Sequence, residues 1–190
     1  MRDIVMSNVL NKFILGCFKL LSLGLAVILV LNSNSAVGQS LQVRADLSFG
    51  IMDLAAIPGT AALGTNASIT YSGGLSGGGF GEVGEIRVSG KSGTTVDISC
   101  AATATLSNGT NTITLTAIEI AVGSGAAPGG QGTVACAGVG LNVAQLTSGN
   151  NAPNTAFIGA TLATSGIESS GDYDTANAGG VPILVEMVVP

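Results

Sequence analysis

Leu41-Gln42-Val43-Arg44-Ala45-Asp46-Leu47-Ser48-Phe49-Gly50-Ile51 alternates without a break. Leu41, Val43, Ala45, Leu47, Phe49 and Ile51 fall on one side of an extended chain; Gln42, Arg44, Asp46 and Ser48 fall on the other. Successive strand side chains point to opposite faces, so this stretch predicts one long strand with a buried face and a wet face. Pro58-Gly59 just beyond it predicts a turn.

The same vocabulary recurs downstream. Short runs rich in Val, Ile and Thr predict strands over 67–72, 85–89, 94–106, 112–122, 133–146, 156–163 and 181–189. Gly73-Gly74-Leu75-Ser76-Gly77-Gly78-Gly79 between two of them predicts a flexible loop. Asn108-Gly109 predicts a hairpin with a type I′ turn, because both residue types tolerate positive φ. In the last run Val181, Ile183, Val185, Met187 and Val189 share one face, with Leu184 and Val188 on the other. That run reads as a central strand buried on both sides. No segment after residue 38 has convincing helical spacing. The expectation is an all-β domain, a β-sandwich of about 7–9 antiparallel strands.

Upstream of the alternating stretch the chain changes character. Arg2, Lys12 and Lys19 precede Leu20 to Leu31, a run without a charge, and Ala36-Val37-Gly38-Gln39 follows a short polar stretch. A basic segment, an apolar segment and a small-x-small site in that order predict a signal peptide over 1–38, cut between Gly38 and Gln39. The competing reading is an uncleaved anchor. A span needs about 20 apolar residues, and counting back from Phe13 to reach that length encloses Lys19. Residues 39–190 are then expected to form one domain, with the membrane met only through the signal before cleavage.

That domain carries three basic residues, Arg44, Arg87 and Lys91, against ten acidic ones, a net charge of −7. So few cations cannot neutralise many phosphates, which excludes nucleic acid as a general partner. Charged residues make up 9% of the chain, where about 25% is ordinary. Ser, Thr, Asn and Gly supply the polarity instead, as on extracellular β proteins and on surfaces that pack against copies of themselves. Cys100 and Cys136 remain after processing. In an oxidising compartment a lone pair is expected to form a disulfide, and two buried free thiols are the alternative.

Catalytic chemistry is thinly supplied. The sequence contains no His, which removes Ser-His-Asp and Cys-His arrangements and the commonest zinc ligand. Gly79-Phe80-Gly81-Glu82-Val83-Gly84 matches G-x-G-x-x-G, but it follows a glycine loop and precedes a strand, the reverse of a dinucleotide site. Asp172 and Asp174 are spaced for a solvated turn, for partial calcium ligation or, at the limit, for a carboxylate pair that hydrolyses glycosides. Tyr71, Phe80 and Tyr173 are the aromatics placed near loops, and there is no Trp to stack sugars. No cofactor is expected, and no catalytic residue is assigned.

Three ordered motifs resemble a known family. Ala45-Asp46-Leu47-Ser48-Phe49-Gly50 is similar to the opening of a bacterial family catalogued as domain of unknown function 4402. Ile86-x-Val88-x-Gly90 with Thr95-Val96-x-Ile98 resembles its middle hairpin. Phe157-x-Gly159-x-x-Leu162 with Gly171-x-Tyr173 resembles its C-terminal signature. That family in turn looks similar to spore-coat-U-like and archaic chaperone–usher pilins. The resemblance implies an exported protein of a Gram-negative bacterium with no established enzymatic activity. It also implies an immunoglobulin-like sandwich and a role as a pilus or surface-structure subunit, assembled from copies of itself with a periplasmic chaperone. Such pilins polymerise by donating an N-terminal strand to a neighbour. Here Leu41, Val43, Ala45, Leu47 and Phe49 are the residues available either as that donor or as the first strand of the domain. The alternative function is a secreted module binding a glycan or another small ligand through the loops at Phe80 and Tyr173, with calcium at Asp172 and Asp174.

Overall fold

The computed structural model describes residues 38–78, 81–123, 132–149 and 153–190. The segment before Gly38 predicted as a signal peptide, and Phe80, lie outside the described residues. Among the described residues there are no helices and eleven strands: β1 (Ser40–Ala45), β2 (Met52–Leu63), β3 (Ile69–Gly77), β4 (Gly84–Ser89), β5 (Thr95–Cys100), β6 (Ala104–Ser107), β7 (Thr112–Gly123), β8 (Thr133–Ala135), β9 (Ala144–Thr147), β10 (Thr155–Thr164) and β11 (Val185–Val188). All pair antiparallel, in an eight-stranded sheet and a three-stranded sheet ordered β11-β5-β9. Both contribute to one core: Ile86, Leu115, Ile120 and Leu162 of the large sheet join Val96, Ile98, Leu146 and Val185 of the small one. The chain folds as an all-β sandwich.

β10 organises the large sheet. One edge runs along β7; the other pairs first with β4, over Thr155–Ile158, and then with β2, over Ala160–Thr164. Phe157, Ile158 and Leu162 are almost fully buried. Gly159 sits where β4 gives way to β2. A Cβ there would run into the Leu63 carbonyl oxygen and lie 2.9 Å from the Thr65 amide nitrogen, so the backbones meet only because this residue has no side chain.

β7 breaks its own alternation. Ile113 and Leu115 point into the core, and so do Ile118 and Ile120, which have the opposite parity. The register with β10 shifts between Gly159 and Thr161, and Ala117 adopts a positive φ of 45°. An extra residue at Ala117 flips the phase, so that both apolar pairs face inward. Continuous alternation across Ala117 would have left Ile118 and Ile120 on the wet face.

The glycine run predicted as a loop is instead the second half of β3. The stretch Ala55 to Pro58 of β2 opposes Gly74 alone, between the pairs Leu54–Leu75 and Gly59–Gly73. A Cβ on Gly73 would lie 2.9 Å from the Gly59 Cα, and one on Gly74 would collide with the Ile57 carbonyl oxygen. The glycines serve a bulged partner strand, and Pro58 is accommodated in the bulge rather than in a turn.

Four other predicted strands change form, among them 133–146, which divides into β8 in the large sheet and β9 in the small one. The alternation from Leu41 stops at a register slip between Val43 and Ala45; Leu41, Leu47 and Phe49 stay buried, while Ile51 is 83% exposed. The run 94–106 divides into β5 in the small sheet and β6 in the large one, so the chain changes layers between Cys100 and Ala104. The C-terminal run divides in the same manner. Val181 bridges to Thr105 of β6, while Val185–Val188 pairs with β5 as an edge strand. Pro182, which has no N–H to donate, lies at the break, and Val188 is 48% exposed.

The Asn108-Gly109 hairpin forms between β6 and β7, with a different turn. Gly109 has φ of +85°, but Asn108 is not in the positive region. Its side-chain oxygen instead accepts from the amides of Thr110 and Asn111, at 3.0 and 2.7 Å, a side-chain cap in place of a type I′ backbone.

Candidate functional site

The segment after β1, the floor of the large sheet and the loop before β11 enclose an apolar groove with about 340 Å³ of free space. Leu106 of β6, Ile113 of β7 and Leu162 of β10 form its floor. Leu47 through Met52 make one wall, and Gly171-Asp172-Tyr173 the other. Ile51, the most exposed large apolar side chain among the described residues at 83%, stands at the rim.

Local chemistry holds the second wall in place. Tyr173 is buried, and its hydroxyl donates to the Ser169 carbonyl at 2.9 Å. Burial pushes its phenol pKa up. Asp174 exchanges two 2.9 Å backbone hydrogen bonds with Ser107, and its carboxylate accepts from the Ala176 amide at 3.0 Å. Asn177 donates to the carbonyls of Ser107 and Asp172, at 2.7 and 3.0 Å. The loop is thus fastened to the end of β6 by its backbone.

Asp172 and Asp174 part company in this arrangement. Asp172 lines the groove, whereas Asp174 caps its own turn. Among the described residues no group of three or more His, Cys, Asp or Glu side chains could hold a metal ion. The groove's chemistry is that of an apolar slot with a single carboxylate at its edge, suited to receive aliphatic or aromatic side chains.

Leu41, Val43 and Ala45 lie in β1 and pair with β4, while Leu47 and Phe49 sit in the protein's own core. β1 is thus paired within the same chain, and Leu47 and Phe49 follow it into the core. Cys100 and Cys136 form a disulfide with Cα atoms 5.1 Å apart, both cysteines buried. Cys100 ends β5 in the small sheet and Cys136 follows β8 in the large one, so the bond fastens the two layers.

A feature that sequence patterns did not reveal lies between β10 and the groove wall. The Glu168 carboxylate accepts from the Ser165 amide and hydroxyl, both at 2.7 Å, and from the amides of Gly166 and Ile167 at 2.9 and 3.1 Å. Partial desolvation pushes its pKa up, but the hydrogen bonds from Ser165 and the backbone amides outweigh that and hold it at about 2. The only sequence signal was Ser165 three residues before Glu168.

A family described as a domain of unknown function, DUF4402, matches residues 40–181. No curated protein matches the chain, and no solved structure does.

Proposed function

The chain belongs to the DUF4402 family, and from that premise we propose that it is an exported, non-enzymatic structural domain that assembles with copies of itself on the cell surface. The observation that carries this reading is the apolar groove with Ile51 exposed at its rim. Water-exposed apolar surface of this kind is stabilised by covering it. The occupant proposed is an extended segment of a second copy. β1 and β3, at the two ends of the large sheet's main strand path, each leave one edge to receive it.

The buried Cys100–Cys136 disulfide supports an oxidising compartment as the place of work. No helix among the described residues is long and apolar enough to cross a membrane. Because residues 41–49 are committed to their own sheet and core, the assembly proposed adds a neighbour's segment to a completed domain. Donation of the N-terminal strand would require unpairing β1 from β4. A periplasmic chaperone would shield the groove and open edges before assembly.

Sizing and electron microscopy of the purified protein test the reading, with Ile51→Asp alongside. Polymers or discrete oligomers that Ile51→Asp disperses are the expected result. A persistent monomer, even after a chaperone is supplied and withdrawn, would overturn it.

A further inference from the structure

Two of the three basic residues in the described chain, Arg44 and Arg87, line one groove, and the third, Lys91, lies between two of its lining residues in sequence. Arg44 lies at the end of β1, Arg87 in β4, and Lys91 in the turn that follows β4. Arg44 and Arg87 are far apart in sequence, and the β1–β4 ladder brings them together, with Gln42 opposite Arg87 and the register slipping beside Arg44. A bulge of this kind re-aims a side chain.

Along this edge runs a polar groove with about 320 Å³ of free space, lined by Gln42, Arg44, Arg87, Ser92, Ser148 and Asn154 among others. Gly90 and Ser92, the two neighbours of Lys91, also line it. Its back wall is fixed: the buried Ser148 hydroxyl donates to the Lys91 carbonyl. Asn154, also buried, donates to the Gly149 carbonyl at 2.7 Å and receives the Val88 amide on its own carbonyl at 3.0 Å. Among the described residues, none of the three cations is engaged in an ion pair. Asp46 and Glu85, the acidic residues next along the chain, do not line the groove.

We propose that this groove binds an acidic saccharide, a sugar carrying a carboxylate or sulfate. The planar guanidinium fork matches a carboxylate or sulfate edge with paired hydrogen bonds. Serine hydroxyls and side-chain amides beside it exchange hydrogen bonds with ring hydroxyls. The volume falls within the range of small-molecule sites, about 300–1,000 Å³. In a domain with ten acidic residues an anionic ligand is repelled over most of the surface, so two of its three cations at one groove direct it there. Three cations are too few for a nucleic-acid track. The inference does not depend on self-assembly, since the site lies within one copy and away from the apolar groove.

Calorimetric titration of the purified protein with oligogalacturonate, its methyl-esterified twin, heparin-derived oligosaccharides and inorganic phosphate tests it. The expected result is binding of at least one of the two acidic saccharides, no binding of the esterified form, and weakening as salt is raised. Arg44→Gln and Arg87→Ala should each weaken binding by about tenfold or more, and Lys91→Gln should weaken it less. Glu186→Gln on β11 should leave it unchanged. If Arg87→Ala fails to fold, Arg44→Gln at its exposed position carries the same test. Binding of neither acidic saccharide would overturn the proposal. So would equal binding of the esterified form, indifference to the arginine variants, or phosphate competing as well as the saccharide.

Discussion

Gly159 lies directly against Leu63: a side chain on Gly159 would strike the Leu63 carbonyl oxygen. This contact is where the central strand exchanges one neighbour for another, and the obstructing atoms are backbone, which cannot rotate away. Gly159→Ala is therefore expected to destabilise the domain by about 1–3 kcal/mol or more. Urea unfolding of the variant beside the parent protein measures it, and an unchanged midpoint would contradict the handover described for β10.

Ala117 predicts a change in the opposite direction. A left-handed backbone costs an L-residue roughly 1–2 kcal/mol, partly offset by the greater flexibility that glycine brings to the unfolded chain. With φ at 45°, Ala117→Gly should stabilise by about 0.5–1 kcal/mol, and Ala117→Val should destabilise. Thermal unfolding of the two variants must move in opposite directions.

The Cys100–Cys136 bond closes a sequence separation of 36 residues. In the chain-entropy account a loop of that size is worth about 4 kcal/mol, a large share of a domain's stability. Reduction, or the double variant Cys100→Ser with Cys136→Ser, should lower the unfolding midpoint sharply. The parent protein and the double variant should become indistinguishable in the presence of reductant.

Glu168 gives a pH signature. Its carboxyl is held at about 2 in the folded chain against an ordinary value of 4.5. A depressed pKa of this sort stabilises the fold above pH 4.5, and the contribution fades as pH falls from 4.5 through about 2. The group is only half-buried, so screening reduces its effect to at most about 1 kcal/mol. Glu168→Gln should lower stability at neutral pH by that modest amount and flatten the acid limb of the stability profile. Carbon-detected NMR titration of the Glu168 side chain reads its pKa directly.

The all-β class, the β4, β7 and β10 segments and the cysteine pair were legible because each rests on local pattern or on composition. What stayed hidden depended on contacts distant in sequence. The Gly73–Gly77 segment looks like a loop until the bulge of β2 lies against it, because close backbone approach and flexibility call for the same residue type. The parity change from Leu115 to Ile118 was present in the sequence, but only the register with β10 identifies Ala117 as the residue that absorbs it. The runs 94–106 and 181–189 each looked continuous because a strand that changes sheets keeps the same apolar composition. Asp172 and Asp174 were noticed, while the apolar groove beside them was not, since its walls come from five separate stretches of chain. Arg44 and Arg87 lie 43 residues apart in the sequence, and nothing short of the β1–β4 pairing brings them to one groove.

The position of β10 also bears on how the domain comes into being. Its residues, 155–164 of 190, are delivered after every other strand of the large sheet, yet β2, β4 and β7 each take one of their neighbours from them. Until they arrive, the half-made sheet has a gap at its middle, and β4 and β7 present open edges facing that gap. Joining elements so distant along the chain is slow, because the loop-closure cost is met before the contacts that offset it. The interval between delivery of β2 and of β10 is thus the stage at which the chain is most open to mispairing with another of its kind.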